Sequence, residues 1–111
     1  MDIAFAKRRL EKIFNSERAL NRQYGAHMAR TIAMRMAVLA NAGNLSMVPV
    51  TKPERRHQLE GKRTGQFAVD LVHPQRLVFA PDHDPVPRRE DGGIDIKQVS
   101  AVRIIEVVDY H

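Results

Sequence analysis

The sequence predicts one α+β domain in which N-terminal helices pack on a small twisted antiparallel sheet. Three patterns carry that expectation. Between positions 10 and 39 apolar residues step by three or four, the spacing of a helical face. Phe67, Val69 and Leu71 alternate with their neighbours, and after His73-Pro74-Gln75 the alternation resumes at Leu77 and Phe79, which is a β-hairpin. Residues 99–108 carry apolar side chains on both faces, as a central strand covered on two sides does. With 111 residues and no break in composition, a single domain over residues 1–111 is expected.

In chain order, Ile3 and Phe5 fall on one face of a short first strand. From Ala6 the apolar positions Ala6, Leu10, Ile13 and Phe14 take helical spacing, with Lys7, Arg8, Arg9, Glu11 and Lys12 on the other side. Asn15 and Ser16 offer an N-cap for a second helix, and Glu17 places an anion in its first turn. Leu20, Tyr24, Met28, Thr31, Ile32, Arg35, Val38 and Leu39 form one stripe, stopped by Asn41-Ala42-Gly43-Asn44. Unbroken, that helix would run roughly 35 Å, the width of such a domain, so a break is expected at Gly25. Met28, Met34 and Met36 read as core filler. His27 lacks a second ligand at helical spacing and reads as solvated or capping. Pro49 and Pro53 make residues 45–53 a connector. Residues 81–93 hold three prolines, two glycines and charges of both signs, a long stiffened surface loop. One helical turn is expected at 95–98.

Composition narrows the partners. The absence of cysteine excludes disulfides and thiolate metal sites and fits a reducing cytoplasm. Eighteen Lys and Arg against thirteen Asp and Glu give a net charge of +5, which favours a polyanion such as nucleic acid. The charged first ten residues lack the apolar core of a signal peptide, and no run reaches membrane-spanning length. An unexported, cytoplasmic protein without membrane, metal or cofactor is expected. The chemistry-bearing residues gather in residues 55–79 and in Asp109, Tyr110 and His111. Should the last strand pair beside that of Arg76, these three would lie near Arg76, with His57 approaching from just before the hairpin.

The stretch Arg56-His57-Gln58-Leu59-Glu60-Gly61-Lys62-Arg63-Thr64-Gly65-Gln66-Phe67, followed by Pro74-Gln75-Arg76-Leu77-Val78-Phe79 and closed by Glu106-Val107-Val108-Asp109-Tyr110-His111, resembles the HigB branch of the RelE/ParE toxin superfamily. Residues 85–93 are similar to an insertion of a longer subgroup, while the N-terminal helices match in pattern only. The resemblance implies a RelE-like fold and a bacterial type II toxin that enters the ribosomal A site and cuts mRNA. It also implies a helix-turn-helix, HigA-like antitoxin, with operator DNA contacted only through the antitoxin complex.

Metal-independent RNA cleavage requires the 2′-hydroxyl to attack its own adjacent phosphate, so one proton must be removed, another supplied and negative charge stabilised. The resemblance makes His57, Arg76, Asp109, Tyr110 and His111 the candidate catalytic set. Arg76 would be the cation on the phosphate, His57 and His111 with Asp109 the proton-transfer groups, and Tyr110 the residue stacking on or orienting a base. Arg55, Arg56, Lys62 and Arg63 would hold flanking phosphates of message or ribosomal RNA. Glu60 departs from the pattern, since related toxins often carry a basic residue there. Two other readings are weighed: a ParE-like inhibitor of DNA gyrase without nuclease chemistry, and a non-catalytic RNA-binding module. Neither needs the His57, Tyr110 and His111 cluster.

Overall fold

The computed structural model describes residues 1–109. Among these the strands are β1 (Asp2–Phe5), β2 (His57–Gln58), β3 (Phe67–Asp70), β4 (Gln75–Pro81) and β5 (Ala101–Asp109). The helices are α1 (Arg8–Phe14), α2 (Glu17–Tyr24) and α3 (Ala26–Asn41), with short 3-10 turns at Leu45–Met47, Gly61–Arg63 and Ile96–Gln98. The last of these answers the helical turn expected at 95–98.

The helical breaks fall where the residue types place them. Ser16 caps α2, its hydroxyl accepting from the backbone N of Ala19 at 3.1 Å, which satisfies one of the orphan donors of a helix start. Gly25 sits at φ +84°, ψ 159°, a conformation that costs a glycine little and an L side chain much. The chain therefore turns there, and the 17–41 stretch becomes two helices. α3 buries Ala29, Ile32 and Leu39, as its stripe requires. Of the three methionines, Met28 and Met36 pack against the core but Met34 is 56% exposed, a correction to its reading as core filler. It lies between the buried positions Ile32 and Arg35, on the turn of the helix that faces outward.

The sheet order is β1-β5-β4-β3-β2. The hairpin β3–β4 pairs Val69 with Leu77 and Asp70 with Arg76, and β4 pairs antiparallel with β5, setting Arg76 opposite Val108. β1 lies parallel to β5, with Ile3 opposite Val102, so the otherwise antiparallel sheet is mixed. Alternation within four residues reports a strand but not its direction; that is settled by where the helices carry the chain afterwards. β4, rather than β5, is the middle strand.

The two faces of the sheet differ. Phe67, Val69, Leu77, Phe79, Val102 and Ile104 pack with Leu20, Ile32 and Leu39 of the helices in the main core. Phe67 and Phe79 stack across the hairpin with ring centroids 6.1 Å apart. Burying such side chains contributes about 1.5–3 kcal/mol each, so one face is committed to holding the fold. The other face carries a small apolar strip of Leu59, Ala68 and Val78, flanked by Ile105 and Val108. No helix residue contributes to that strip, and the polar side chains beside it are those of interest.

Candidate active site

Strand register brings the first two candidates together. His57 pairs with Ala68, and Ala68 with Val78, two residues along β4 from Arg76. Alternation therefore points His57, Asp70 and Arg76 to the helix-free face. Nη1 of Arg76 lies 3.4 Å from Nε2 of His57. The other ring nitrogen, Nδ1, is 2.8 Å from the carbonyl oxygen of Arg55. A carbonyl only accepts, so Nδ1 carries a proton, and in the neutral ring Nε2 is left with its lone pair toward Arg76.

Arg55 has φ +47°, the one non-glycine residue with a positive φ among those described. This turn aims its carbonyl at His57 while its side chain returns to Asp70, with Nη1 3.4 Å from Oδ2. Asp70 also faces Arg76, Oδ1 lying 3.5 Å from Nε. At that length the contact is an ion pair without hydrogen-bond geometry, and Oδ1, although buried, accepts no hydrogen bond among the described residues. The result is a carboxylate between two guanidiniums, leaving net positive charge on the face.

An open depression of about 350 Å³ lies over these groups, lined by Val50, Arg55, Arg56, His57 and Arg76. Its walls are mostly cationic, so an anion is the ligand it suits. Arg56 is half-buried; its Nε donates to the carbonyl of Val48 at 2.9 Å, and burial lowers its pKa from the ordinary arginine value. Arg56 therefore both anchors the 49–56 loop and lends charge to the depression.

Lys62 and Arg63 lie on the turn Gly61–Arg63 beside the same face, Lys62 exposed. Arg63 reaches Glu106 of β5, Nη2 to Oε1 3.4 Å, and donates from Nη1 to Gln66 Oε1 at 3.0 Å. Both partners of the Arg63–Glu106 pair reach solvent, so the pair contributes about 0–1 kcal/mol. Glu60, exposed at the start of that turn, makes no side-chain cap bond. Asp109 ends β5 opposite Gln75, one position beyond the Arg76–Val108 pair. Alternation assigns it to the opposite side of the sheet from Arg76 and His57. Tyr110 and His111 lie outside the described residues. Among the described residues no three His, Asp or Glu side chains group as metal ligands would.

Two residues of this cluster escaped the sequence reading. Asp70 falls on the face opposite Phe67 and Val69, and only the hairpin register sets it across from Arg76. Arg35 sits within the apolar stripe of α3 and is buried there; its Nε donates to the backbone oxygen of Asp70 at 2.6 Å. A lone arginine on a buried stripe was the available signal, since a buried guanidinium requires an acceptor. The 81–93 loop stands apart: it begins at the far end of β4, about 17 Å along the strand from Arg76, and closes on itself through Arg89 N to Gly93 O at 2.8 Å.

No protein-family model and no curated protein sequence matches the chain. Solved structures do. The YoeB-YefM complex from Staphylococcus aureus aligns over 100% of this chain and 97% of that chain, with a TM-score of 0.57 and 16% identity. The YoeB dimer from the same organism gives the same coverage, a TM-score of 0.56 and 17% identity. A YoeB/ParE toxin from Agrobacterium tumefaciens aligns over 100% of both chains, with a TM-score of 0.59 and 10% identity. The chain thus has the α+β fold of these YoeB and YoeB/ParE proteins, with the His57–Arg76 contact on the sheet face that its own helices leave uncovered.

Proposed function

We propose that this protein is a toxin of the RelE/ParE superfamily, of HigB type, that acts in the bacterial cytoplasm by cutting mRNA in the ribosomal A site. The observation that carries the reading is the contact of Arg76 Nη1 with His57 Nε2, 3.4 Å apart, under a depression walled by Arg55 and Arg56. The likeness of fold to a YoeB/ParE toxin supports it.

In the proposed reaction the 2′-oxygen bonds to phosphorus as the bond from phosphorus to the 5′-oxygen breaks, giving a 2′,3′-cyclic phosphate. His57 takes the 2′-proton at Nε2, its Nδ1–H held by the Arg55 carbonyl. His111 returns a proton to the departing 5′-oxygen, with Asp109 completing the proton-transfer set. Arg76 stabilises the charge that develops on the phosphate, and Tyr110 orients a base. No metal enters these steps. Arg55, Arg56, Lys62 and Arg63 hold flanking phosphates, and five cations between positions 52 and 63 suit docking on ribosomal RNA. A helix-turn-helix, HigA-like antitoxin silences the protein and alone joins it to operator DNA. The YoeB-YefM complex, in which a chain of this fold holds a second protein, supports a protein partner of some kind.

Expression in bacteria tests the reading. Wild type is expected to arrest growth, and His57→Ala, Arg76→Ala and His111→Ala to relieve the arrest while remaining folded by circular dichroism. Three folded variants that stay fully toxic would refute the nuclease assignment in favour of a gyrase-directed or purely binding toxin. Purified protein is expected to cut translating mRNA efficiently and free RNA poorly; equal cleavage of both contradicts ribosome dependence.

A further inference from the structure

We infer that Asp70 is a positioning residue that sets the direction in which Arg76 presents its guanidinium to the scissile phosphate, an inference that rests on the nuclease reading above. Asp70 and Arg76 are direct cross-strand partners on the helix-free face. The carboxylate contacts two cations, Arg76 Nε at 3.5 Å and Arg55 Nη1 at 3.4 Å, and both cations line the depression. It is therefore shared by the very groups that an incoming phosphate would engage.

Its backbone is held on both sides. The N–H of Asp70 donates to Glu54 O at 2.8 Å, and its carbonyl oxygen accepts from the buried Arg35 at 2.6 Å. The carboxylate thus hangs from a fixed point that links α3, the 49–56 loop and the hairpin. Oδ1 is sealed from solvent and accepts no hydrogen bond among the described residues. A shielded, unbonded carboxylate oxygen is costly to retain for stability alone. Its position does orient Arg76: with Nε drawn toward Asp70, the other end of the guanidinium turns to His57 and the depression. A planar fork binds phosphate well in one orientation only, so the residue that fixes its plane acts on alignment more than on affinity.

The charge effect has the opposite sign. Asp70 adds one negative charge to a cationic depression, so neutralising it should not weaken attraction for an anion. Loss of alignment without loss of attraction lowers kcat and leaves KM unchanged or reduced. A merely structural role would lower stability and raise KM together.

Asp70→Asn tests this, because it keeps the shape and leaves both backbone bonds intact. Ribosome-bound mRNA cleavage is measured with thermal unfolding and with the Nε–H resonance of Arg76 in arginine-labelled protein. Expected are a kcat reduced roughly 10- to 100-fold, a KM no higher than wild type, an unfolding midpoint close to wild type, and an Arg76 resonance shifted toward that of a solvated arginine. A kcat within twofold of wild type, a KM rising with loss of stability, or an unmoved Arg76 resonance overturns the assignment. Should the wild type cleave nothing, the nuclease reading fails, while the Arg76 resonance still decides whether Asp70 orients the guanidinium.

Discussion

A left-handed backbone at Arg55 lets one residue serve two neighbours, its carbonyl meeting His57 Nδ1 and its guanidinium meeting Asp70. For an L residue that conformation costs about 1–2 kcal/mol, a cost that glycine escapes. Arg55→Gly therefore removes strain and an ion pair to the half-buried Asp70 at once. Urea denaturation should place the variant within about 1 kcal/mol of wild type. RNA affinity should fall, and the slope of its logarithm against salt should flatten by about one phosphate contact. Unchanged RNA binding with a large loss of stability would instead make Arg55 a structural residue only.

Helix breaks and strand register are what position the site's elements. α2 and α3 would form a single rod without Gly25, and α3 could not then lie across the sheet with Arg35 over Asp70. A Cβ at Gly25 would meet nothing within 4 Å, so space is not what excludes a side chain there. The backbone conformation is. Gly25→Ala is expected to destabilise by about 1–3 kcal/mol, read as a lowered urea midpoint at unchanged slope. A more stable variant would mean that α2 and α3 can straighten, and the break would then be incidental to the fold. On the sheet side, the register that pairs Arg76 with Val108 sets Glu106 opposite Val78, within reach of Arg63, before a shift at Ile105 of β5 brings Ile104 opposite Phe79.

The whole molecule, 44 by 26 by 26 Å, divides its labour between the two faces of one sheet. Helices and the main core take one face, leaving the other to a small apolar strip and the charged groups of the candidate site. No helix among the described residues is long and apolar enough to cross a membrane. Global stability has an alkaline limit written into the helical layer. Tyr24 packs edge-on against Phe14, ring centroids 6.4 Å apart. Burial pushes its phenol above the ordinary value of 10.0, against a smaller opposite pull from Arg9. A raised folded pKa means the folded state keeps the proton that the unfolded state releases. The contribution is intact below about pH 10 and is lost as pH rises through the higher folded value. Stability should therefore decline through that window, and Tyr24→Phe should flatten the decline in urea titrations at successive pH values. An identical alkaline slope in both proteins would show that the phenol does not set it.

Local pattern determined much of this protein. The α2 cap at Ser16, the break at Gly25, the α3 stripe, the hairpin about His73-Pro74-Gln75 and the placement of Arg76 on its return strand follow from contiguous residues, because helical and extended backbones impose their own periods. Tertiary structure alone decided the parallel seating of β1, the exposure of Met34 and the partners of Arg35, Arg63 and Asp70. Each of those depends on which distant segments meet, and at what register. A carboxylate on a strand becomes the guide of an arginine only when a second strand pairs beside it, and no spacing within either strand encodes that pairing.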